Sequence, residues 1–150
     1  MSMAVLPTVC VLDWAQVQAL VTPLRTAVFV EEQGVPVEIE RDVFDAVSRH
    51  ALARSGAGEV IGTGRLLPDG HIGRMAVACR WRGKGVGGLV LAALVQEAVR
   101  LNMGEVVLNA QVHAEAFYLR HGFVAEGCVF EEAGIPHRVM RRRLDQGGRS

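Results

Sequence analysis

The chain lacks net charge: its 16 Lys and Arg residues balance 16 Asp and Glu. Bulk attraction to nucleic acid or to an anionic membrane is therefore not expected. It also lacks a disulfide framework. Cys10, Cys79 and Cys128 are odd in number, far apart and without CxxC spacing, which argues against staples and against a metal site and favours a reducing compartment. The opening MSMAVLPTVCVLDW has neither a basic n-region nor a long apolar h-region, so it does not read as a signal peptide. No apolar run reaches the roughly 18 residues that span a bilayer. Repeats and low-complexity blocks are absent. These absences leave a cytoplasmic protein with no membrane or nucleic-acid partner as the expectation.

What is present is a hydrophobic fraction of 50% over 150 residues. That length suggests one domain, residues 1–150 with an ordered core at 8–144. A chain of this size buries roughly 70% of its unfolded surface without staples. Thr8–Leu12 (TVCVL) reads as a strand. Asp13 with Gln16 three residues on reads as a capping box opening a helix. Thr22-Pro23 predicts a restart, so two short helices are expected, the second ending near Gly34. The segment Glu31–Asp45 holds six of the 16 acids. It reads as a loop too acidic and aperiodic for the core. RHALARS and EVIGTGRLLP, joined by the turn Ser55–Gly58, and HIGRMAVAC, after the turn Pro68–Gly70, read as an antiparallel meander.

A helix over Val86–Met103 is apolar nearly all round, with Leu89, Val99 and Leu101 among its buried residues. Glu105–Ala110 follows as a central strand. A short helix Ala114–His121 comes next, then the strands FVAEGCVF and His137–Leu144, separated by the turn Gly134-Ile135-Pro136. The tail DQGGRS reads as disordered. Strand, helix, strand around residue 85 implies a parallel crossover. The expected fold is thus α/β: a mixed, mostly antiparallel sheet with helices on both faces.

The segment Arg80–Gly88, RWRGKGVGG, places four glycines and three cations where a strand meets that long helix. Backbone N–H groups bared by glycine, together with a helix N-terminus, make an anion cradle. A P-loop would need Ser or Thr after Lys84, where Gly85 stands. Gly83-x-Gly85-x-x-Gly88 satisfies a dinucleotide pattern, but the next strand ends Leu108-Asn109-Ala110-Gln111, without the acid that would bind a ribose.

Taken whole, Arg80–Gly85 is R-x-x-G-x-G, and Phe117–Phe123, FYLRHGF, follows it with Ala114 at a small position ahead of the tyrosine. In this order and spacing the chain resembles the GNAT superfamily of N-acyltransferases. Phe29–Pro36 (FVEEQGVP) and Ile135-Pro136-His137 further resemble its ElaA-like branch.

The resemblance implies a GNAT fold, acetyl-CoA (coenzyme A) as cofactor, and acetyl transfer to a primary amine of a small molecule or protein by direct attack in a ternary complex. It implies that Met75, Ala76 and Val77 bond pantetheine through their backbone, with the Val77 N–H polarising the thioester carbonyl. Arg82, Gly83, Lys84, Gly85, Val86 and Gly87 are implied for the pyrophosphate. Gln111, Ala114, Phe117, Tyr118 and Arg120 are implied beside the cofactor, Gln111 standing where many members carry Asn. Tyr118 is the implied acid for the departing thiolate. The base is open: Glu31, Glu32, Gln33, His113 and His137 are the acceptor-side residues, and a water chain is another route. The acidic segment either attracts a cationic amine or is simply solvated.

Cys79 lacks a histidine partner at suitable spacing and reads as a buried free thiol rather than a nucleophile. Arg141–Arg143 reads as protection of an edge strand. A non-catalytic acyl-CoA-binding domain is the alternative function, a nucleotide oxidoreductase the more distant one. Acceptor identity and oligomeric state, a homodimer included, are not specified by these residues.

Overall fold

The computed structural model describes residues 6–40 and 42–144. The tail Asp145–Ser150 and the first five residues of the N-terminal stretch lie outside the described residues. Seven strands form one sheet: β1 Thr8–Asp13, β2 Arg49–Arg54, β3 Val60–Leu66, β4 His71–Val77, β5 Glu105–Gln111, β6 Val124–Glu132 and β7 Ile135–Arg143, in the order β1-β2-β3-β4-β5-β7-β6. Every neighbouring pair is antiparallel except β4 with β5, the predicted crossover.

Alternation along β2 sorts the two faces. Ala51 and Ala53 face helix α3 (Val86–Arg100), while Leu52 faces Val17 and Val21 of helix α1 (Trp14–Arg25). The buried apolar residues of α3, Val86, Val90 and Leu94 with Leu91, Val95 and Ala98, recur at the spacing of one face. Leu89, Val99 and Leu101, expected inside, are exposed on the other side, and the helix stops at Arg100.

Glycines in β3 set how closely α3 approaches. A Cβ built on Gly62 would lie 2.7 Å from Val86 Cγ1, and one on Gly64 would lie 2.9 Å from both Leu94 and Val90. Gly62→Ala is therefore expected to lower stability by about 1–3 kcal/mol through overpacking. Urea unfolding checks this, and an unchanged midpoint would show that α3 can move away freely.

Four expectations fail on physical grounds. First, α1 runs through Pro23 to Arg25 instead of breaking. Val17, Val21 and Arg25 are buried along it, and packing of that face outweighs the lost hydrogen bond of proline. The chain then widens into a π-helix, Thr26–Glu32, before the left-handed Gly34. Second, the acidic segment is not a solvated loop. It holds helix α2 (Val37–Glu40) and a 3₁₀ turn (Val43–Val47), and Glu40 and Asp45 are buried. Third, β7 is flanked by β5 and β6, so Arg141–Arg143 do not protect an edge. Arg141 instead bridges Glu105 and Glu126, and Arg142 donates to the His121 carbonyl. Fourth, the hairpin turns at Ala133-Gly134, both at positive φ, leaving Ile135 and Pro136 inside β7.

The buried acids are paired. Arg25, 2% exposed, donates Nε to Glu40 Oε2 (2.5 Å) and its two terminal nitrogens to Asp45 (3.0 and 3.1 Å). Its guanidinium lies 5.2 Å from the Trp14 ring centroid. Arg65 binds Asp42 and Asp45, and Arg74 binds Asp42 and the Glu40 carbonyl. Three arginines from α1, β3 and β4 thus hold the acidic segment against the sheet.

Candidate active site

β4 and β5 pair only at His71↔Val107 and Ile72↔Leu108. Beyond Ile72 the two strands part. A bulge sits at the same place, since Thr63↔Ala76 and Arg65↔Gly73 leave β4 one residue longer than β3. Arg74 within it has φ 50°, a conformation that costs a non-glycine residue energy and recurs at functional sites. The Ala78 N–H donates to the Ile61 carbonyl, so by strand alternation Val77 turns its own N–H and C=O away from β3 into the gap. Arg82 Nε donates to that Val77 carbonyl at 3.0 Å.

A 3₁₀ turn, Cys79–Trp81, leads from β4 to the glycine segment. Gly83 (φ 76°) and Gly85 (φ 88°) are both left-handed, which only glycine adopts cheaply, and a Cβ on either would meet nothing within 4 Å. Gly85 is the N-cap of α3, so the first N–H groups of that 15-residue helix open onto this turn. Of the three cations, Arg80 pairs with Glu59, and Arg82 donates to Glu32 at 2.7 Å. Lys84 has no ion pair among the described residues. Cys79 is exposed rather than buried.

A 3₁₀ turn, Val112–Ala114, and helix α4 (Glu115–Arg120) follow β5 on the far side of the gap. Phe117 sits 3.5 Å from where a Gly87 Cβ would be, so the FYLRHGF element packs on the start of α3. Its ring meets that of Tyr118 edge-on at 5.0 Å, and Tyr118 meets Phe123 at 6.0 Å. Burial pushes the Tyr118 hydroxyl up from 10.0 to about 12. Arg120, at the end of α4, is exposed.

The gap opens into a cavity of about 460 Å³. Met75, Gln111, Ala114 and Tyr118 line it, as do Gln33 and His137. Gln111 donates to Gln33 Oε1 at 3.3 Å and accepts from His113 Nε2 at 2.6 Å, so its amide spans the gap between the π-helix and β5. Among the acceptor-side residues, Glu31 and His113 are exposed and outside the cavity lining, and Glu32 is spent on Arg82. Gln33 and His137 remain. Glu40, Asp42, Arg65 and Arg74 also line the cavity; the acidic segment pointed to the two carboxylates, but nothing along the chain pointed to the arginines that neutralise them. Their charges cancel only in three dimensions, across elements separated in the chain.

Residues 15–144 match the acetyltransferase (GNAT) domain family. The uncharacterised N-acetyltransferase YjcF of Bacillus subtilis strain 168 is 37% identical over 123 residues, covering 79% of this chain and 87% of that protein. Protein ElaA of Escherichia coli K12 is 34% identical over 143 residues, covering 90% and 92%. The crystal structure of an acyl-CoA N-acyltransferase from Pseudomonas aeruginosa superposes with a TM-score of 0.79 at 34% identity, covering 91% of this chain and 99% of that one.

Proposed function

The chain belongs to the GNAT acetyltransferase family, in its ElaA-like branch, and on that premise we propose that it transfers acetyl from acetyl-CoA to a primary amine by direct attack in a ternary complex. One observation carries this reading: the strand gap between β4 and β5 meets the glycine turn at the start of α3, with Tyr118 in the cavity between them. The turn fits a diphosphate. Its left-handed glycines leave room, the helix N-terminus offers unpaired N–H groups, and Lys84 brings a free cation.

In this reading the backbone of Gly83, Gly85, Val86 and Gly87, with Lys84, grips the diphosphate. Arg82, held by Glu32 and the Val77 carbonyl, flanks it and ties the turn to the π-helix. Met75–Val77 takes the place of a missing strand partner for the pantetheine arm, with Gln111, Ala114, Phe117 and Arg120 across the gap. Acetyl-CoA supplies an acyl group activated as a thioester. The Val77 N–H, pointing into the gap, donates to the oxygen on which charge develops. Tyr118, its hydroxyl pushed up to about 12 by burial, is protonated at neutral pH. It hydrogen-bonds the leaving sulfur and gives up its proton as the C–S bond breaks. No cysteine is among the described residues lining the cavity, which supports direct attack over an acyl-enzyme.

Gly85→Glu tests the turn. A non-glycine residue at φ 88° is strained by about 1–3 kcal/mol. Its carboxylate would also repel a diphosphate. Coenzyme A affinity, measured by calorimetry, is expected to fall roughly ten- to hundredfold. Unchanged affinity would remove this turn from the site.

A further inference from the structure

We propose that His137 is the general base that takes the proton from the acceptor ammonium. This rests on the acetyltransferase reading above and adds to it the residue that readies the amine.

Position comes first. Ile72 of β4 stands beside Leu108 of β5, so Met75 lies at about the level of Gln111. Gln111 pairs with His137 across β5 and β7, and Phe130 pairs with His137 from β6. His137 therefore sits at about the level of Met75, where the Met75–Val77 segment begins, on a strand paired on both sides, and it lines the cavity. His71 also lines the cavity but lies at the opposite end of β4. Six residue steps separate it from Val77, at most about 20 Å if the chain were fully extended.

Tautomer comes second. His137 is 6% exposed, and its Nδ1 is 2.7 Å from the Ile135 carbonyl oxygen. A carbonyl only accepts, so Nδ1 carries the hydrogen. In the neutral ring the lone pair is then on Nε2, which has no protein partner among the described residues. Stacking on Phe130, with centroids 6.0 Å apart, fixes the ring plane. Of the other candidates, Glu31 lies outside the cavity and the rest are occupied. His113 uses Nε2–H on Gln111, Glu32 holds Arg82, and Glu40 and Asp42 hold arginines.

His137 Nε2 takes one proton from the ammonium and passes it to solvent. The freed lone pair forms the C–N bond to the acyl carbon, and the C–S electron pair leaves with sulfur, which is protonated by Tyr118. The proton shed by the new amide nitrogen restores Tyr118.

H137N tests this, because the asparagine amide can still donate to the Ile135 carbonyl but offers no basic nitrogen. H137Q serves if H137N does not fold. Besides Tyr118, the charged and titratable groups facing the same cavity are Glu40, Asp42, Arg65, His71, Arg74 and Glu132. E132Q is therefore assayed alongside. Coenzyme A affinity is expected to be unchanged in H137N, and kcat at neutral pH to fall about 100-fold. The defect should shrink as pH rises towards the pKa of the amine, where free amine no longer needs a base. In the wild type, ¹⁵N-histidine spectra should report His137 protonated at Nδ1 and bare at Nε2. Wild-type turnover with an undiminished H137N rate, a defect that follows E132Q instead, or an Nε2-protonated ring would overturn the base alone. A wild type that neither binds coenzyme A nor releases thiol would overturn the acetyltransferase reading together with it.

Discussion

Asp45→Ala is expected to destabilise the protein by about 3–5 kcal/mol, the cost of breaking a buried ion-pair network in which Arg25 and Arg65 each lose one carboxylate and keep only the other. Asp45 accepts from Arg25 twice and from Arg65 once, and all three side chains are almost wholly buried. Such a loss is a large share of the roughly 5–15 kcal/mol that holds a domain folded. Chemical denaturation of the wild type and the variant checks it. A loss below about 1 kcal/mol would mean the network behaves as a solvated surface pair.

The same network makes the fold sensitive to acid. Burial opposes ionisation of Asp42, but the Arg65 hydrogen bond and the charges of Arg65 and Arg74 prevail and hold its carboxyl below 3.8. Burial likewise holds His50 below 6.5, and its Nε2 donates to the Asp45 carbonyl. A depressed pKa in the folded state means the unfolded chain binds protons more readily. Both groups therefore add stability above their unfolded values, and that stability is lost as pH falls through the depressed ones. Because Arg65 and Arg74 line the cavity, acceptor affinity should weaken with the network.

Tyr118→Phe is expected to lower kcat by roughly 10²–10⁴ while leaving coenzyme A affinity nearly intact. Phenylalanine preserves the ring contacts with Phe117 and Phe123, so only the hydroxyl is lost. The raised pKa sharpens the test. A hydroxyl at about 12 keeps its proton far above neutrality, so Tyr118 imposes no alkaline loss of kcat/KM below that value. Unchanged turnover in the variant would reduce Tyr118 to a packing residue.

The strands and the crossover were legible because their residues carry local signals. TVCVL alternates, Ser55–Gly58 and Pro68–Gly70 are turn sequences, and the glycine turn could only precede a helix. The GNAT motifs extended that reading to the proposed site, from Met75–Val77 to Tyr118. What failed depended on distant partners. Pro23 reads as a break until Val17, Val21 and Arg25 are seen packed along one continuous face. Glu40 and Asp45 read as solvated until Arg25 and Arg65 arrive from other elements. Glu31 and Glu32 looked equivalent to Gln33 along the chain. The π-helix turns Gln33 into the cavity and Glu32 towards Arg82. His137 was one histidine among five, and only the pairing of β7 with β5 brings it level with Met75.

The central claim is that this chain joins acetyl-CoA and an amine in one cavity and moves the acetyl group between them. Its most direct test is free-thiol release from acetyl-CoA across a panel of polyamines, amino acids, aminoglycosides and peptide N-termini. Thiol release is expected to depend on one class of amine, to appear together with the N-acetylated product, and to be lost in Gly85→Glu. Tight coenzyme A binding with no amine-dependent release across the panel would contradict it, leaving an acyl-CoA-binding domain without turnover.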